Sequence, residues 1–390
     1  MGRRKKLELK ACPDFTTAAI NAATDKASFA ELPAKLVDPK NVWTSRVLGE
    51  GTFAVVRRGL VKDPVLGSKK SVAVKQLKRA EDAERFIREA MLLSKISHRH
   101  IVQHEGIGVV YNDAAPVMFQ LQEFVRGGTL EDLFLERSPL VLRPHAYSFP
   151  VALRWAIQVA EGVQYMHTST TPVVHRDLKA ANVLITDPNP CLASVKIADL
   201  GLAAELDPQA SVSSNGASAS MDAADPFSSV SDSPRQLTAR TGSYVYMAPE
   251  VYLGQEYDEK ADIYSLGVLF LEMFTGKLLS DMVLKIRSYD NAKRFACCVA
   301  NGFPLACPQS FPRDIAELLQ ACWSRKAEQR PSASQVISML ESIRAANLER
   351  EDLLDAVELS ISQRLRLGCF NIGGSIRQRI GLARNRAYLR

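Results

Sequence analysis

One stretch of eight residues, His175 to Asn182, limits what this chain can be more than any other. It spells HRDLKAAN, follows a segment of helical periodicity at residues 151–167, and precedes the apolar run Val-Leu-Ile at residues 183–185. An aspartate that can accept a hydroxyl proton, followed closely by an asparagine that can bind a divalent cation, suits phosphoryl transfer. Because chance rarely places all of these residues at this spacing, the stretch predicts a phosphotransfer site.

A second motif supplies another carboxylate. Asp199 and Gly201 follow a short apolar strand, where an aspartate beside a flexible glycine can reach a metal bound to phosphates. Taken alone, such an aspartate fits equally well as an ordinary cap at a strand-to-turn junction. Farther along, Glu250 of the Ala-Pro-Glu triplet and Arg330 could form a buried ion pair, or each could be a surface charge.

The N-terminal half contains two weaker signals. Gly49 and Gly51 lie between two strands of alternating polarity, where backbone N–H groups can meet phosphates, although glycines there are more often simple turns. Lys75 ends the apolar strand Val-Ala-Val-Lys, and Glu89 on the following amphipathic helix is a candidate ion partner for it. Alone, Lys75 fits equally well as a lysine that reaches the surface, and Glu89 as a solvated helix charge.

The order of the expected elements indicates an α+β protein with two lobes. Strand-like segments predominate before residues 127–128, a Gly-Gly pair, and helical segments predominate after it. With 390 residues, of which 46% are hydrophobic, the chain can build a sizeable core. No apolar run reaches the length of a transmembrane span, and the basic N-terminus lacks the apolar region of a secretory signal. Seven scattered cysteines without zinc spacing predict reduced thiols and a cytoplasmic or nuclear protein.

Together and in this order, the motifs resemble those of the eukaryotic protein kinase family. The resemblance covers residues 42–343 and implies an N-terminal lobe with an antiparallel sheet and one helix, and a mainly helical C-terminal lobe. The segments TGSYVYMAPEV, ADIYSLGVLFLEM and CWSRKAEQRPS most resemble the tyrosine-kinase-like group of serine/threonine kinases. Two positions depart from the family pattern, since Leu200 replaces the usual Phe and Ala54 replaces the third glycine of the loop.

The resemblance also implies where the parts of the chain begin and end. The three expected regions are a basic, weakly ordered lead-in at 1–41, the kinase domain at 42–345, and a C-terminal extension with an arginine-rich end at 346–390. The expected parts of the domain are the N-terminal lobe at 42–122, the hinge at 123–126, the C-terminal lobe at 127–345, and an activation segment at 199–250 with a serine-rich insert at 205–237.

Each site residue acquires a role from the same resemblance. Asp177 would be the catalytic base, Lys179 would steady the transferred phosphoryl group, and Lys75 would bind the α- and β-phosphates of ATP. The residues expected to hold Mg²⁺, with Mn²⁺ as an alternative, are Asn182 and Asp199. The residues expected to line the ATP site are Leu48, Gly49, Glu50, Gly51, Thr52, Phe53, Ala54, Val56, Ala73, Lys75, Glu123, Val125 and Leu184. The supporting residues are expected to be Glu89, His175, Arg176, Ser243, Glu250, Asp262 and Arg330.

Two residues indicate the class of hydroxyl that accepts the phosphate. Lys179 matches the serine/threonine kinase pattern, and Ser243 falls where those enzymes place a residue that contacts this lysine and the base. We therefore expect a protein substrate with serine or threonine, in signalling. The alternatives are a tyrosine or dual-specificity kinase, a pseudokinase that uses the fold as a scaffold, and a kinase for small molecules on the same fold.

Regulation and partners are suggested by two further segments. Thr238 and Thr241 are candidate phosphorylation sites, because a phosphate there could pair with Arg176 and order the activation segment. Residues 361–390 hold seven arginines and no acidic residue. This tail has three interpretations: a solvated end, an element that binds an anionic membrane surface, or a docking segment for an acidic partner. Nucleic acid is the least favoured partner, since no aromatic platform accompanies the charge.

Overall fold

The structure is a computed structural model that describes residues 35–111, 116–136, 147–205, 243–284, 289–305 and 307–347. In these ranges a five-stranded antiparallel sheet precedes a mainly helical part. The strands of the large sheet are β1 (Val42–Glu50), β2 (Ala54–Lys62), β3 (Lys69–Leu77), β4 (His104–Tyr111) and β5 (Pro116–Glu123), in the spatial order β1-β2-β3-β5-β4. A short turn at residues 51–53 joins β1 to β2, and a longer link at residues 63–68 joins β2 to β3, so the glycine-rich turn extends from the edge of the sheet that β1 forms.

The register of the sheet decides which side chains face the site. Lys75 on β3 pairs with Val56 on β2 and with Gln120 on β5, and Ala73 pairs with Gln122. Because paired residues in an antiparallel sheet point to the same face, these side chains share one side of the sheet. Helix α1 (Ala83–Lys95) covers that side, with Phe86 among its buried residues.

The helical part surrounds one buried helix. Its helices are α2 (Leu130–Glu136), α3 (Phe149–His167), α4 (Pro249–Tyr252), α5 (Lys260–Thr275), α6 (Leu279–Leu284), α7 (Tyr289–Ala300), α8 (Arg313–Cys322) and α9 (Ala333–Asn347). Helix α5 is buried over nearly its whole circumference, as its apolar sequence requires. It ends at Thr275, and the capping residue Gly276 has a positive φ of 63°, a conformation that glycine adopts without a steric penalty.

Two small antiparallel sheets hold the chemical motifs in place. Strand β6 (Val173–Val174) pairs with β9 (Ala204–Glu205), and β7 (Val183–Ile185) pairs with β8 (Val195–Ile197). The HRDLKAAN segment lies between β6 and β7, and Asp199 follows β8 directly. Short paired strands thus fix both ends of each catalytic segment.

Residues before the expected domain start at Val42 already contribute to the large sheet. Leu36 forms a parallel bridge to Ile107 on β4, and the backbone N–H of Val37 donates to the carbonyl of Ile107 at 2.9 Å. The side chain of Val37 is buried. The end of the lead-in therefore belongs to the sheet-containing part, because its apolar side chain covers β4.

The α+β, two-lobed fold predicted from the sequence is confirmed: an antiparallel sheet with one helix is followed by a helical part. The exact lobe boundaries stay a prediction. Among the described residues, no helix combines the length and the apolar character that crossing a membrane requires.

Candidate active site

A cavity of about 530 Å³ lies where the large sheet meets the helical part. All thirteen residues that the sequence assigns to ATP line it, from Leu48 on β1 to Leu184 on β7. Seven of the other predicted site residues also line the cavity: Glu89, Arg176, Asp177, Lys179, Asn182, Asp199 and Ser243. Segments that lie far apart in the sequence thus converge on one cavity, which the motifs alone did not establish.

Lys75 stands at the centre of a three-residue charge cluster. Its Nζ atom donates to both carboxylate oxygens of Glu89, at 2.6 and 2.7 Å, and to Oδ1 of Asp199 at 2.9 Å. Burial alone would lower the pKa of Lys75, but the carboxylates of Asp199 and Glu89 outweigh it and hold that pKa above its ordinary value. Lys75 in turn holds the pKa of Asp199 well below the usual range. The lysine is therefore charged and fixed in position before any ligand arrives.

A second charge cluster surrounds Asp177. The Nζ atom of Lys179 donates to its two carboxylate oxygens, at 2.5 and 2.7 Å, and to the hydroxyl oxygen of Ser243 at 3.0 Å. The Ser243 hydroxyl donates to Asp177 at 3.3 Å, and the side-chain amide of Asn182 donates to the same carboxylate at 2.9 Å. Three residues from two segments, Lys179, Asn182 and Ser243, thus orient one carboxylate toward the cavity.

Asp262 on α5 supports this segment from below. It is fully buried and accepts hydrogen bonds from the backbone N–H groups of His175 and Arg176, at 2.8 and 2.9 Å, and from His167 at 2.9 Å. Arg176 has a φ of 65°, an uncommon backbone conformation for a side chain of this size. Burial opposes ionisation of Asp262, yet the hydrogen bond from His167 and the electrostatic attraction to His167 and His175 hold its pKa below the usual value. The charged carboxylate therefore compensates for the strain at Arg176.

The remaining supporting residues lie outside the cavity or at its edge. Arg330 and Glu250 form a two-bond ion pair at 2.6 and 2.7 Å, with the arginine side chain fully buried. The side chain of Arg176 donates to the carbonyl of Leu202 and, at 2.9 Å, to the hydroxyl of Tyr257. Thr238 and Thr241, the candidate phosphorylation sites, lie outside the described residues.

The oxygen donors at the cavity fit a magnesium ion. Asp199 offers a carboxylate, and Asn182 uses its amide N–H group toward Asp177, which leaves its amide oxygen for a cation. Mg²⁺ prefers oxygen ligands and is usually held by one or two protein side chains together with phosphates and water. No group of three or more His, Cys, Asp or Glu side chains suited to a metal occurs in the described ranges.

Three polar residues on the sheet face that borders the cavity belong to none of the catalytic motifs. His104 on β4 and Gln120 and Gln122 on β5 carry buried side-chain atoms without a hydrogen-bond partner among the described residues. The family resemblance implies that one of them, Gln122, occupies the gatekeeper position immediately before the expected hinge at 123–126. The sequence offers one signal for these residues, because they are polar side chains in β4 and β5, two strands that are mostly apolar.

Acidification is expected to weaken the fold through His104. Burial lowers the pKa of His104 to about 4 from its ordinary value of 6.5. The unfolded chain therefore binds this proton first, and the stability present above pH 6.5 is lost as the pH falls through about 4. Urea unfolding across this range should show a shallower pH dependence for His104→Leu than for the wild type. Identical slopes would mean that His104 titrates alike in the folded and unfolded chains.

Comparison with known proteins agrees with this geometry. The fold and the two charge clusters place the chain in the class of protein kinase domains. A family model described as the protein kinase domain matches residues 43–340, and the chain belongs to this family. It is 30% identical over 304 residues to a probable serine/threonine-protein kinase of Dictyostelium discoideum, covering 77% of this chain and 27% of that protein.

Two other relatives come from animals and plants. Mitogen-activated protein kinase kinase kinase 7 of Drosophila melanogaster is 29% identical over 318 residues, which is 81% of this chain and 39% of the relative. Serine/threonine-protein kinase STY46 of Arabidopsis thaliana is 30% identical over 276 residues, which is 70% of this chain and 40% of the relative. The chain thus spans less than half the length of each relative. The predicted resemblance to the tyrosine-kinase-like group is confirmed.

Proposed function

We propose that this chain is a protein kinase that transfers the γ-phosphoryl group of Mg·ATP to serine and threonine hydroxyls of proteins, in signalling. The observation that carries the proposal is the Asp177 cluster, in which Lys179 bridges the carboxylate and the Ser243 hydroxyl. A carboxylate held in this way can accept the proton of an incoming hydroxyl, and the adjacent ammonium can offset charge on the transferred group. The names of the relatives support the same substrate class.

The first charge cluster argues for an enzyme over a scaffold. The Lys75–Glu89 pair is formed, and Asp199 lies within hydrogen-bond distance of the same lysine. In our proposal Lys75 binds the α- and β-phosphates, while Asn182 and Asp199 hold Mg²⁺ or Mn²⁺. The metal would neutralise charge that develops on the phosphates. The chain's own contribution is to fix the nucleotide between these groups before chemistry begins.

The base of the nucleotide has an apolar place in the same cavity. We propose that Leu48, Val56, Ala73 and Leu184 enclose adenine, and that the backbone of residues 123–125 reads its edge. Each of these residues lines the cavity. The arrangement follows the usual design of ligand sites, with apolar walls and few polar groups that set orientation.

Phosphoamino-acid analysis tests the proposal directly. Wild-type protein with γ-labelled ATP and a generic basic protein substrate should place label on serine and threonine. Phosphotyrosine as the sole product would overturn the substrate class and favour the tyrosine-kinase alternative. Label at the level of a no-enzyme blank, with nucleotide binding intact, would instead favour the pseudokinase.

Ser243 offers a matched test of the acceptor side of the site. Ser243→Ala removes a hydroxyl that accepts from Lys179 and donates to Asp177. Hydrogen bonds to charged groups contribute about 1.5–3 kcal/mol, so kcat should fall by about 10- to 100-fold. Ser243→Thr keeps the hydroxyl and should retain most of the rate. Equal rates for the Ala and Thr variants would mean that the hydroxyl of residue 243 does not assist phosphate transfer.

We further propose a cytoplasmic location and a partner for the arginine-rich tail at residues 361–390, which lies outside the described residues. Seven arginines without an acidic residue favour an acidic protein or an anionic membrane surface. Flotation with vesicles of phosphatidylserine and phosphatidylcholine compares membrane binding by the full chain and by a 1–360 truncation, and so tests the membrane against the acidic protein as the partner. Weaker binding by the truncation supports the membrane, and equal binding excludes it.

A further inference from the structure

The link between β2 and β3 exposes two adjacent apolar side chains. Val65 and Leu66 have exposed fractions of 89% and 79%, the largest of any large apolar residue among those that the structure describes. Single exposed apolar side chains are ordinary on a protein surface. Two adjacent ones that lie almost wholly in water favour a partner that buries them, because removing apolar surface from water is favourable. We call this pair the apolar tip.

The backbone holds the apolar tip in one conformation. Oδ1 of Asp63 accepts hydrogen bonds from the N–H groups of Val65 and Leu66, both at 2.8 Å. The N–H of Gly67 donates to the carbonyl of Asp63 at 2.9 Å, and the N–H of Asp63 donates to the carbonyl of Ser68 at 2.8 Å. Gly67 has a φ of 67°, which glycine adopts without strain. The tip therefore loses little conformational entropy when it binds.

Lysines flank the apolar tip. Lys62 ends β2 and Lys69 begins β3, and the register places them directly opposite each other. Lys70 follows on β3, and Lys35 lies within electrostatic range of Asp63 in the same link. Like charges directly opposite each other on a sheet repel, so a negatively charged partner would relieve the repulsion between Lys62 and Lys69.

Two of these lysines keep their charge available for a partner. Glu105 pairs with Lys70 at 2.5 Å, but neither Lys62 nor Lys69 forms an ion pair among the described residues. The Nζ atom of Lys69 instead lies 5.0 Å from the ring centroid of Trp43, on β1. Tryptophan and lysine side chains are both favoured at the boundary between water and lipid, because each has an apolar body and a polar end.

The chemistry at this end of the sheet fits an anionic bilayer. Apolar side chains enter the acyl boundary and the lysines around them meet the charged headgroups, so the two contributions add. A protein partner fits less well, because a stable protein complex usually buries about 800 Å² on each side, far more than two side chains supply. A bilayer needs no matching pocket, and a rigid tip inserts without first ordering a loop.

Docking at this end leaves the nucleotide cavity open. The apolar tip comes after the last residue of β2, Lys62, whereas the glycine-rich turn at 51–53 precedes its first residue, Ala54. A nine-residue strand is about 25–30 Å long. The length of β2 therefore separates the apolar tip from the turn that borders the cavity.

We propose that the apolar tip, together with Lys62, Lys69 and Lys70, docks this chain on anionic lipid bilayers. This surface is separate from the arginine-rich tail at 361–390. The inference does not depend on the proposed kinase activity, and it places a membrane contact on the large sheet itself.

Partition coefficients of the full chain on vesicles test the proposal. Wild type should bind vesicles of phosphatidylserine and phosphatidylcholine, and Val65→Ser combined with Leu66→Ser should weaken the partitioning by at least about tenfold. That loss is expected when each aliphatic side chain is about half buried in lipid. Equal partitioning by the two proteins, or no binding by the wild type, would overturn the proposal and leave the apolar tip to a protein partner.

Leu192 provides the matched control. It lies in the turn between β7 and β8, with an exposed fraction of 76% that nearly equals that of Leu66. Leu66→Ser alone should lower the partition coefficient by about threefold or more, because it removes one inserted side chain. Leu192→Ser, the same chemical change outside the large sheet, should keep the wild-type value. Equal losses from the two substitutions would mean that no particular surface inserts, which contradicts the proposal.

The lysines are tested by the composition of the vesicles. Lys62→Gln combined with Lys69→Gln should weaken binding to the phosphatidylserine vesicles by about 10- to 30-fold, since each lysine near an anionic surface contributes about fivefold. The same variant should match wild type on phosphatidylcholine alone. A loss of equal size on both kinds of vesicle would rule out recognition of anionic headgroups.

Hydrogen exchange locates the contact along the chain. Exchange at residues 63–68 of the full chain should slow when phosphatidylserine vesicles are added, and unchanged exchange there would overturn the proposal. All of the substituted variants keep residues 361–390, so the tail contributes equally to each. Binding that a 1–360 truncation loses, but that the tip and lysine variants retain, would assign the bilayer to the tail and reject the docking surface on the sheet.

Discussion

Asp177→Asn is expected to lower the rate of phosphate transfer by about 100- to 10,000-fold, the range that a positioned general base supplies. The substitution keeps the shape of the side chain and an oxygen that accepts from Lys179, but the amide cannot take up the proton of the attacking hydroxyl. The hydrogen bonds that join Lys75, Glu89 and Asp199 do not involve Asp177, so ADP binding should stay within about threefold of wild type. Initial rates at saturating ATP and calorimetry with ADP measure the two effects.

The matched control for this substitution is Asp314→Asn, on helix α8. Asp314 does not line the cavity, and its side chain accepts only from the neighbouring backbone N–H of Ile315 among the described contacts. The same chemical change there should leave the transfer rate unaltered. If Asp177→Asn kept more than about a tenth of the wild-type rate, proton acceptance by Asp177 would contribute less than a general base provides.

The sequence predicts those parts of the site whose functional residues lie close together along the chain. Asp177, Lys179 and Asn182 lie within one short segment, so their joint presence already suggests phosphoryl transfer. Lys75 and Glu89 lie on a strand and the helix that follows it, which makes their pairing a natural expectation. The contact between Lys75 and Asp199 is different, because it joins residues 124 positions apart and requires the complete fold.

Other features could not be predicted because no local pattern encodes them. Leu36 and Val37 join the sheet through β4, about seventy positions along the chain, and the sequence around them lacks a strand pattern. The hydrogen bond from Arg176 to Tyr257 joins two loops. The cluster of His104 and Gln122 depends on the register of β4 and β5, since a shift of one residue would turn these side chains to the opposite face. Such features follow from tertiary packing.

The second large effect is expected from breaking the buried ion pair between Arg330 and Glu250. The guanidinium also donates to the carbonyls of Ser324 and Lys260, so it connects three segments of the helical part. Arg330→Met leaves the carboxylate of Glu250 buried without its counter-charge. Such a loss costs about 3–5 kcal/mol of unfolding free energy. Urea unfolding followed by circular dichroism measures it.

Two comparison variants separate the charge from the packing. Arg330→Met with Glu250→Gln removes the unpaired charge and should recover part of the loss, because a neutral amide is cheaper to bury than a carboxylate. Arg313→Met is the exposed control: Arg313 pairs with Glu317 one helical turn away at 92% side-chain exposure, and its loss should cost less than about 1 kcal/mol. If Arg330→Met cost no more than Arg313→Met, the buried pair would not stabilise the fold. Glu250 is the second residue of helix α4, and the turn at residues 243–246 that carries Ser243 lies shortly before this helix, so the buried pair anchors the segment next to the acceptor side of the active site.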